Sequence, residues 1–419
     1  MASETKTIYV YDGFNHEEDI LLGRLYVDEI RGSEAYSFEF ETEWLSHISA
    51  GTMIDPGLAC YPGRQFSEDG ELFGMFKDAA PDRWGRNLMN RRERQLAGME
   101  SRKPKKLRES DYLLGVFDRT RMGGLRFKTN PNGTYESDEE DFAVPPWTGL
   151  RTLEEASRNF EKEDGSNNEK WLSQLIRPGS SLGGARPKAS ISDENGNLWI
   201  AKFPSRHDEN DTGAWEMVAH DIAVKCELNV PEAKLEKFSK YGSTFITKRF
   251  DRDHGKRVHY ASSMTLLGKR DGASAQDGTS YLDIAGFIRA YGASPRKDLI
   301  ELWRRVVFSM AVTNTDDHLR NHAFILTEKG WTLSPLFDVN PEPYGNELAI
   351  NVDESSNVIS LDLAINVANK FGIDKNTAKK MATEIIGTVD SNWEKTAKNY
   401  NLSRAQIDYM RPAFALPSI

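Results

Sequence analysis

Asn314-Thr315-Asp316-Asp317-His318-Leu319-Arg320-Asn321-His322 is the stretch on which the reading of this chain turns. Asp316 and Asn321 stand at the D-x-x-x-x-N spacing of a protein-kinase catalytic loop. In such a loop the Asp accepts or orients the proton of the acceptor hydroxyl. The Asn supplies a neutral oxygen to a metal and adds no charge that would over-bind it. The plain alternative is a polar turn capping a helix. His318 and His322 also suggest a metal hydrolase, but their spacing lacks the central Glu of a zinc-protease helix and no third ligand is evident. No G-x-S-x-G elbow supports a serine hydrolase. We therefore read His318 as a residue that packs or hydrogen-bonds to shape the loop.

Upstream, Leu299, Leu302, Trp303, Val306, Val307 and Met310 recur at three and four, so a helix with one apolar stripe leads directly into the loop. Downstream, Ala323 to Leu326 and Trp331 to Leu333 form two short strand patterns whose hairpin would return the chain beside the loop. Asp338 follows in Leu336-Phe337-Asp338-Val339-Asn340, where a kinase places its main Mg²⁺ carboxylate. A lone Asp after a strand is usually a turn former. At this distance beyond Asp316 and Asn321 we expect a metal ligand.

Farther upstream lie the parts that would hold a triphosphate. Pro178 to Lys188 (PGSSLGGARPK) is rich in small residues, which lets backbone N–H groups approach an anion closely. It matches neither the Walker pattern nor the kinase G-x-G-x-x-G, and a flexible turn would explain it as well. Lys202 is a lone cation in the apolar run Trp199-Ile200-Ala201-Lys202-Phe203-Pro204, one segment after that loop and ahead of a helical pattern from Thr212 to Leu228 that bears Glu216. Kinases hold a phosphate-binding lysine in this order, with a helical Glu as its ion-pair partner. Ser243 to Phe250 reads as a strand.

The amino-terminal part is different in kind. Ile8-Tyr9-Val10-Tyr11, Leu21 to Val27 and Tyr36 to Phe40 are short β-rich runs punctuated by Gly and Asp, the pattern of a small antiparallel sheet. Pro81 is expected to open a helix with Asp82 in its first turn. The polar, acidic run from Asn130 to Asp141, closed by Pro145-Pro146, is the natural boundary. We expect an α+β chain with segments 1–146, 147–255 and 256–419. In the helical tail, Gly372 and Gly387 are expected breaks.

Composition narrows the function. A formal net charge of −10 and a pI near 5.5 are the wrong sign for a broad DNA-binding surface. The basic run Arg102, Lys103, Lys105, Lys106, Arg108 reads as a solvated loop. Cys60 and Cys226 lie far apart, which suggests neither a disulfide framework nor a Cys-based zinc site. With no secretory leader pattern at the start and no long uncharged apolar run, we expect a cytoplasmic protein.

The successive segments Ser181-Leu182-Gly183-Gly184-Ala185-Arg186-Pro187-Lys188, Ile200 to Pro204, Leu228 to Pro231, Arg249-Phe250-Asp251-Arg252, Asn314 to Asn321, and Asp338 resemble the motifs of the HipA family in order and spacing. Leu22-Gly23-Arg24-Leu25, Tyr36-Ser37-Phe38 and Pro81 to Arg86 resemble its amino-terminal subdomain. The resemblance implies a bilobal kinase fold, closer to lipid kinases than to eukaryotic protein kinases. It implies an ATP- and Mg²⁺-dependent serine/threonine kinase acting as the toxin of a toxin–antitoxin pair. The partner would be a small HipB-like helix-turn-helix antitoxin, with DNA reached only through it, and the usual target an aminoacyl-tRNA synthetase. By motif, Asp316 is the catalytic base and Asn321 and Asp338 bind metal. Ser181, Gly183, Gly184, Ala185, Lys188, Lys202, Phe250 and His318 surround the nucleotide, and Ser181 is the autophosphorylated serine. Two positions depart from the pattern: Asp317 stands where Gly is frequent, and Arg186-Pro187 precede Lys188. The rival reading is a catalytically silent corepressor that only grips an antitoxin.

Overall fold

Alternation in the first segment puts Ile8 and Val10, then Leu22, Leu25 and Val27, on the buried face of extended chain. In the computed structural model, which describes residues 5–14, 18–48, 52–138, 144–162, 174–175, 184 and 186–416, this chain forms an antiparallel sheet. Strands Lys6–Asp12, Ile20–Ile30, Ser33–Phe40, Gln65–Phe66 and Leu125–Lys128 are ordered with 20–30 between 6–12 and 33–40, and with 65–66 and 125–128 at the edges. Arg31 (φ 51°) and Gly32 (φ 84°) both adopt positive φ between the paired Ile30 and Ser33, the twist that lets a two-residue loop close a hairpin. Against the buried face pack Phe38, Phe40, Trp44, Phe76 and Phe127. Trp44 Nε1 donates to the fully buried Asp12 carboxylate at 2.7 Å, so the indole's polar atom is satisfied inside this core.

The chain divides into two compact units: residues up to Arg206 together with Lys248–Ala261, and His207–Thr247 together with Ser262 onward. The first holds the sheet above, the Arg83–Met99 helix and the hairpin Lys188–Ser192/Leu198–Lys202. It also holds a buried ionic cluster. Arg249 lays both Nε and Nη2 on Asp251, at 2.8 and 2.6 Å, and Arg252 reaches the same carboxylate at 2.8 Å. Gly123 N donates to it as well, and Arg249 Nη1 donates to the Thr120 carbonyl, so every member is partnered. Burial alone would raise the Asp251 pKa, but Arg249 and Arg252 overcome it and hold the carboxyl far below the carboxylate range.

The second unit is mainly helical. Pro at the first position starts the Pro295–Ala311 helix, and the expected stripe is its core face: Leu302, Trp303, Val306, Val307 and Met310 are buried. Trp303 Nε1 donates to the Ala364 carbonyl at 2.8 Å. Ala323–Thr327 and Gly330–Leu333 pair as the expected hairpin, and Gly242–Lys248 pairs with Ala233–Ser239.

Two local expectations are corrected. The helix after Pro81 begins at Arg83, because the Asp82 side chain accepts from Gly85 N at 2.8 Å and acts as the N-cap rather than a first-turn residue. Gly387 does not break the tail: Lys375–Asn399 runs through it as one helix, held by Ala382, Ile385, Ile386 and Val389 in the core. Gly372 does end a helical segment, in the left-handed conformation. Among the described residues no helix is long and apolar enough to cross a membrane.

Candidate active site

The Pro295–Ala311 helix delivers the catalytic-loop candidates, and Thr313, at φ 51°, turns the chain off its end. Asn314 N still donates back to the Ser309 carbonyl, and Thr313 Oγ1 is tied to the Ala413 carbonyl at 2.9 Å. Beyond this anchor Asp316 and Asp317 face opposite environments. The Asp316 side chain is 82% exposed, open to an incoming group. Asp317 is buried, and accepts from Tyr281 Oη at 2.5 Å and Ser309 Oγ at 3.0 Å, with His322 Nε2 2.9 Å from its other oxygen.

These surroundings give the two carboxyls different properties. Burial would raise Asp317, but the His322 ring and the two hydroxyl donors hold it below the usual carboxylate range. Asp316 is raised, first by the crowding of the surrounding loop and then by the negative charges of Asp338 and Asp317, with His318 acting the other way. For a side chain so open to water, the neighbouring charges are the more durable cause. His318 Nε2 stands 3.8 Å from Asp316 Oδ1, close enough to steer it.

Asn321 is buried at the end of the loop, and its Nδ2 donates to the Asp316 carbonyl at 2.9 Å. That bond orients the amide and leaves Oδ1 as its remaining acceptor. Asp338 adopts φ 59°, an uncommon conformation for a residue with a side chain, and its Oδ1 accepts from Asn340 Nδ2 at 3.2 Å. Asn340 N in turn donates to Asn314 Oδ1, so the Asp338 turn is fastened to the candidate catalytic loop. Among the described residues no three His, Cys, Asp or Glu side chains converge as a metal cluster. A neutral amide oxygen with repelling carboxylates nevertheless fits a hard cation such as Mg²⁺, which takes few protein ligands and keeps its waters. The mutual repulsion of Asp316 and Asp338 is the feature a cation would relieve.

In the other unit, Lys188 and Lys202 are directly opposed across the antiparallel ladder, so their side chains leave the sheet on one face. Lys188 is buried, with Nζ 3.6 Å from Asp82 Oδ2, while Lys202 is half-buried. Gly184 has φ 86°, and a Cβ there would stand 2.9 Å from Lys188 Nζ. Its carbonyl accepts from Trp84 N, and Trp84 Nε1 donates to the Lys188 carbonyl, so this end of the Gly-rich stretch is tied to the start of the Arg83–Met99 helix. Ser181, Gly183 and Ala185 lie outside the described residues. Phe250 is half-buried between the buried Arg249 and Asp251, and its ring tilts toward Tyr260 at 6.1 Å. Glu216 is buried in the Thr212–Lys225 helix rather than facing solvent.

Tyr281, Ser309 and Asn340 escaped the sequence reading. Tyr281 lies 36 residues from the carboxylate it serves, and nothing in local spacing signals such a partner. Asn340 carried a weak signal, since it sits in the same short run as Asp338.

Residues 180–393, a little over half of the chain, match the profile of the HipA-like C-terminal domain. The chain belongs to the HipA-like family. Over nearly all of its length the HipA-like chain shares the fold of HipA of Shewanella oneidensis, solved in a toxin–antitoxin complex with HipB and operator DNA. The TM-score is 0.68 at 16% identity, covering 97% of this chain and 96% of that one. As expected, the fold is α+β and kinase-like. Two curated relatives are similar over part of their length. One, from Haemophilus influenzae, is named "Putative kinase" and is 30% identical over 190 residues, 40% of this chain and 54% of its own. The other, "Putative kinase Y4dM" from Sinorhizobium fredii, is 25% identical over 240 residues, 52% of this chain and 56% of its own. The HipA-like chain thus spans about half the length of the curated relatives it matches.

Proposed function

We propose that this HipA-like chain is an ATP-dependent serine/threonine protein kinase and the toxin of a cytoplasmic toxin–antitoxin pair. The observation that carries the reading is the catalytic loop itself. Asp316 is exposed, Asp317 is locked inward, and Asn321 and the Asp338 turn are both hydrogen-bonded to the loop. In this reading Asp316 takes the proton from the acceptor hydroxyl as that oxygen bonds to the terminal phosphorus of ATP and the bond from that phosphorus to the bridging oxygen breaks, releasing ADP; its raised pKa suits a group that must receive a proton. Asn321 Oδ1 and the Asp338 carboxylate would hold Mg²⁺, which when bound neutralises phosphate charge. Lys202 and Lys188 would meet the phosphates of ATP, together with Gly183, Gly184 and Ala185. By motif, Phe250 and His318 would also contact the nucleotide.

The finer parts of the proposal rest on motif. The partner would be a HipB-like antitoxin, as in the Shewanella assembly, and the target a protein hydroxyl, an aminoacyl-tRNA synthetase being the family's usual one. Ser181 would be the autophosphorylated serine, with Ser180 as its neighbour and competitor. Segments 1–146, 147–255 and 256–419 would serve as amino-terminal subdomain, nucleotide-binding segment and catalytic segment. The test is to incubate the whole protein with ATP and Mg²⁺ and weigh it intact. Addition of phosphoryl mass, absent in Asp316→Asn, supports the reading. An unchanged mass together with no transfer to any added protein overturns it.

A further inference from the structure

The chain beyond Asp338 does not trail away from the catalytic loop but lies against it. Asn340 N donates to Asn314 Oδ1 at 3.2 Å, and Glu342 N donates to the Thr313 carbonyl at 3.0 Å. Gly345 comes so near Thr315 that a Cβ built on it would stand 2.1 Å from the Thr315 methyl carbon, so any larger residue would have to push that side chain aside. The result is to carry Tyr344, the neighbour of Gly345, to the flank of the loop that bears Asp316.

Tyr344 is 71% exposed, yet it is held: its ring meets Tyr409 edge to face at 5.7 Å and 83°. Leu348 N donates to the Asn357 carbonyl and Ile359 N to the Asn346 carbonyl, which brings the exposed Val358 beside Glu347. Glu342 and Glu347 are exposed, and among the described residues neither forms an ion pair. A lone exposed aromatic is ordinary on any protein surface. This one packs against Tyr409, lies on a segment fastened to the proposed catalytic loop, has the Glu342 carboxylate accepting from its own backbone N–H at 3.3 Å, and is followed by Glu347, which is bridged to the exposed Val358.

We propose that Tyr344, Val358, Glu342 and Glu347 form the seat of the acceptor, a segment of protein chain whose hydroxyl-bearing residue is flanked by apolar and basic side chains. The inference rests on the kinase reading above and names the chemistry of its substrate. Aromatic and aliphatic contact supplies area, and the two carboxylates select basic neighbours over acidic ones.

The test uses the whole protein and two synthetic peptides with a central Ser, one flanked by Leu and Arg and the other by Leu and Glu. The expected result is transfer to the Arg peptide in preference to the Glu peptide. Tyr344→Ala should raise the KM for the Arg peptide about tenfold, equivalent to about 1.4 kcal/mol, while the KM for ATP stays within about twofold. Tyr291→Ala, at an exposed tyrosine elsewhere, should change neither. The double variant Glu342→Lys/Glu347→Lys should reverse the peptide preference, a gain that loss of folding cannot mimic. If the wild-type protein phosphorylates peptides but Tyr344→Ala keeps its peptide KM and the double variant keeps its preference, the acceptor seat is wrong and the kinase reading stands. If the wild-type protein transfers phosphate to neither peptide and to no protein, both fall.

Discussion

Tyr281 Oη donates to Asp317 Oδ2 at 2.5 Å, from a side chain that is itself fully buried. With Ser309 and His322 it turns the second carboxylate of the proposed catalytic loop inward, away from the exposed Asp316. Asp317 is thus a positioning residue in the proposed mechanism rather than a metal ligand. Tyr281→Phe keeps the ring and removes the donor. It should cost about 1.5–3 kcal/mol of stability, as expected for a hydrogen bond to a charged group, and slow phosphoryl transfer while ATP affinity holds. Urea unfolding and single-turnover kinetics check this; unchanged stability and rate together would show that the clamp is idle.

Asp251→Asn attacks the buried cluster. It removes the charge that Arg249 and Arg252 share and leaves them uncompensated in the interior, so a loss of about 3–5 kcal/mol is expected. Arg24→Gln, which breaks a partly exposed pair with Glu41, should cost less than about 1 kcal/mol. Denaturant midpoints of the two variants compare them directly, and similar losses would contradict the burial argument.

His259 predicts a pH dependence. Its ring stacks on Phe14 at 4.5 Å, and burial pushes its pKa from 6.5 down to about 4 against a weaker opposing effect of Asp12. Between these values the unfolded chain binds the proton more readily than the folded one, so stability falls as pH drops below about 6.5. The loss should approach about 3 kcal/mol near pH 4. His259→Phe keeps the stack and should flatten the melting-temperature profile in that window. Identical slopes in the two proteins would rule His259 out as the cause.

Asp338→Ala should weaken ATP binding in the presence of Mg²⁺ far more than in its absence, because it deletes the proposed metal carboxylate. Calorimetric titration reads the difference, and equal affinities would make Asp338 only a turn residue.

Local pattern carried much of this into view. The apolar stripe from Leu299 to Met310, the 323–333 hairpin and the Asp316/Asn321 spacing were legible because helix period, strand alternation and loop spacing are written within a few turns of chain. The break at Gly372 was legible from the glycine itself. Gly387 was misread because tertiary packing on Ile385 and Val389 outweighs the modest helix penalty of one glycine. Asp82 was placed one position too deep, since the choice between N-cap and first turn depends on which backbone N–H its side chain meets. The Asp317 clamp was invisible, because Tyr281 and Asp317 meet only once the Tyr281–Tyr291 helix and the loop are folded together. The cross-strand opposition of Lys188 and Lys202 needed the register, which residue spacing alone did not supply.

The most direct test of the central claim is the rate of phosphoryl transfer by Asp316→Asn. The substitution keeps the size of the side chain and the loop's bonds to Asn321 and Asn340, and removes only the group that takes the proton. The expected result is a transfer rate lower by about 10² to 10⁴ with ATP–Mg²⁺ affinity and the unfolding midpoint essentially retained. A folded Asp316→Asn protein that transfers phosphate at the wild-type rate would contradict the assignment.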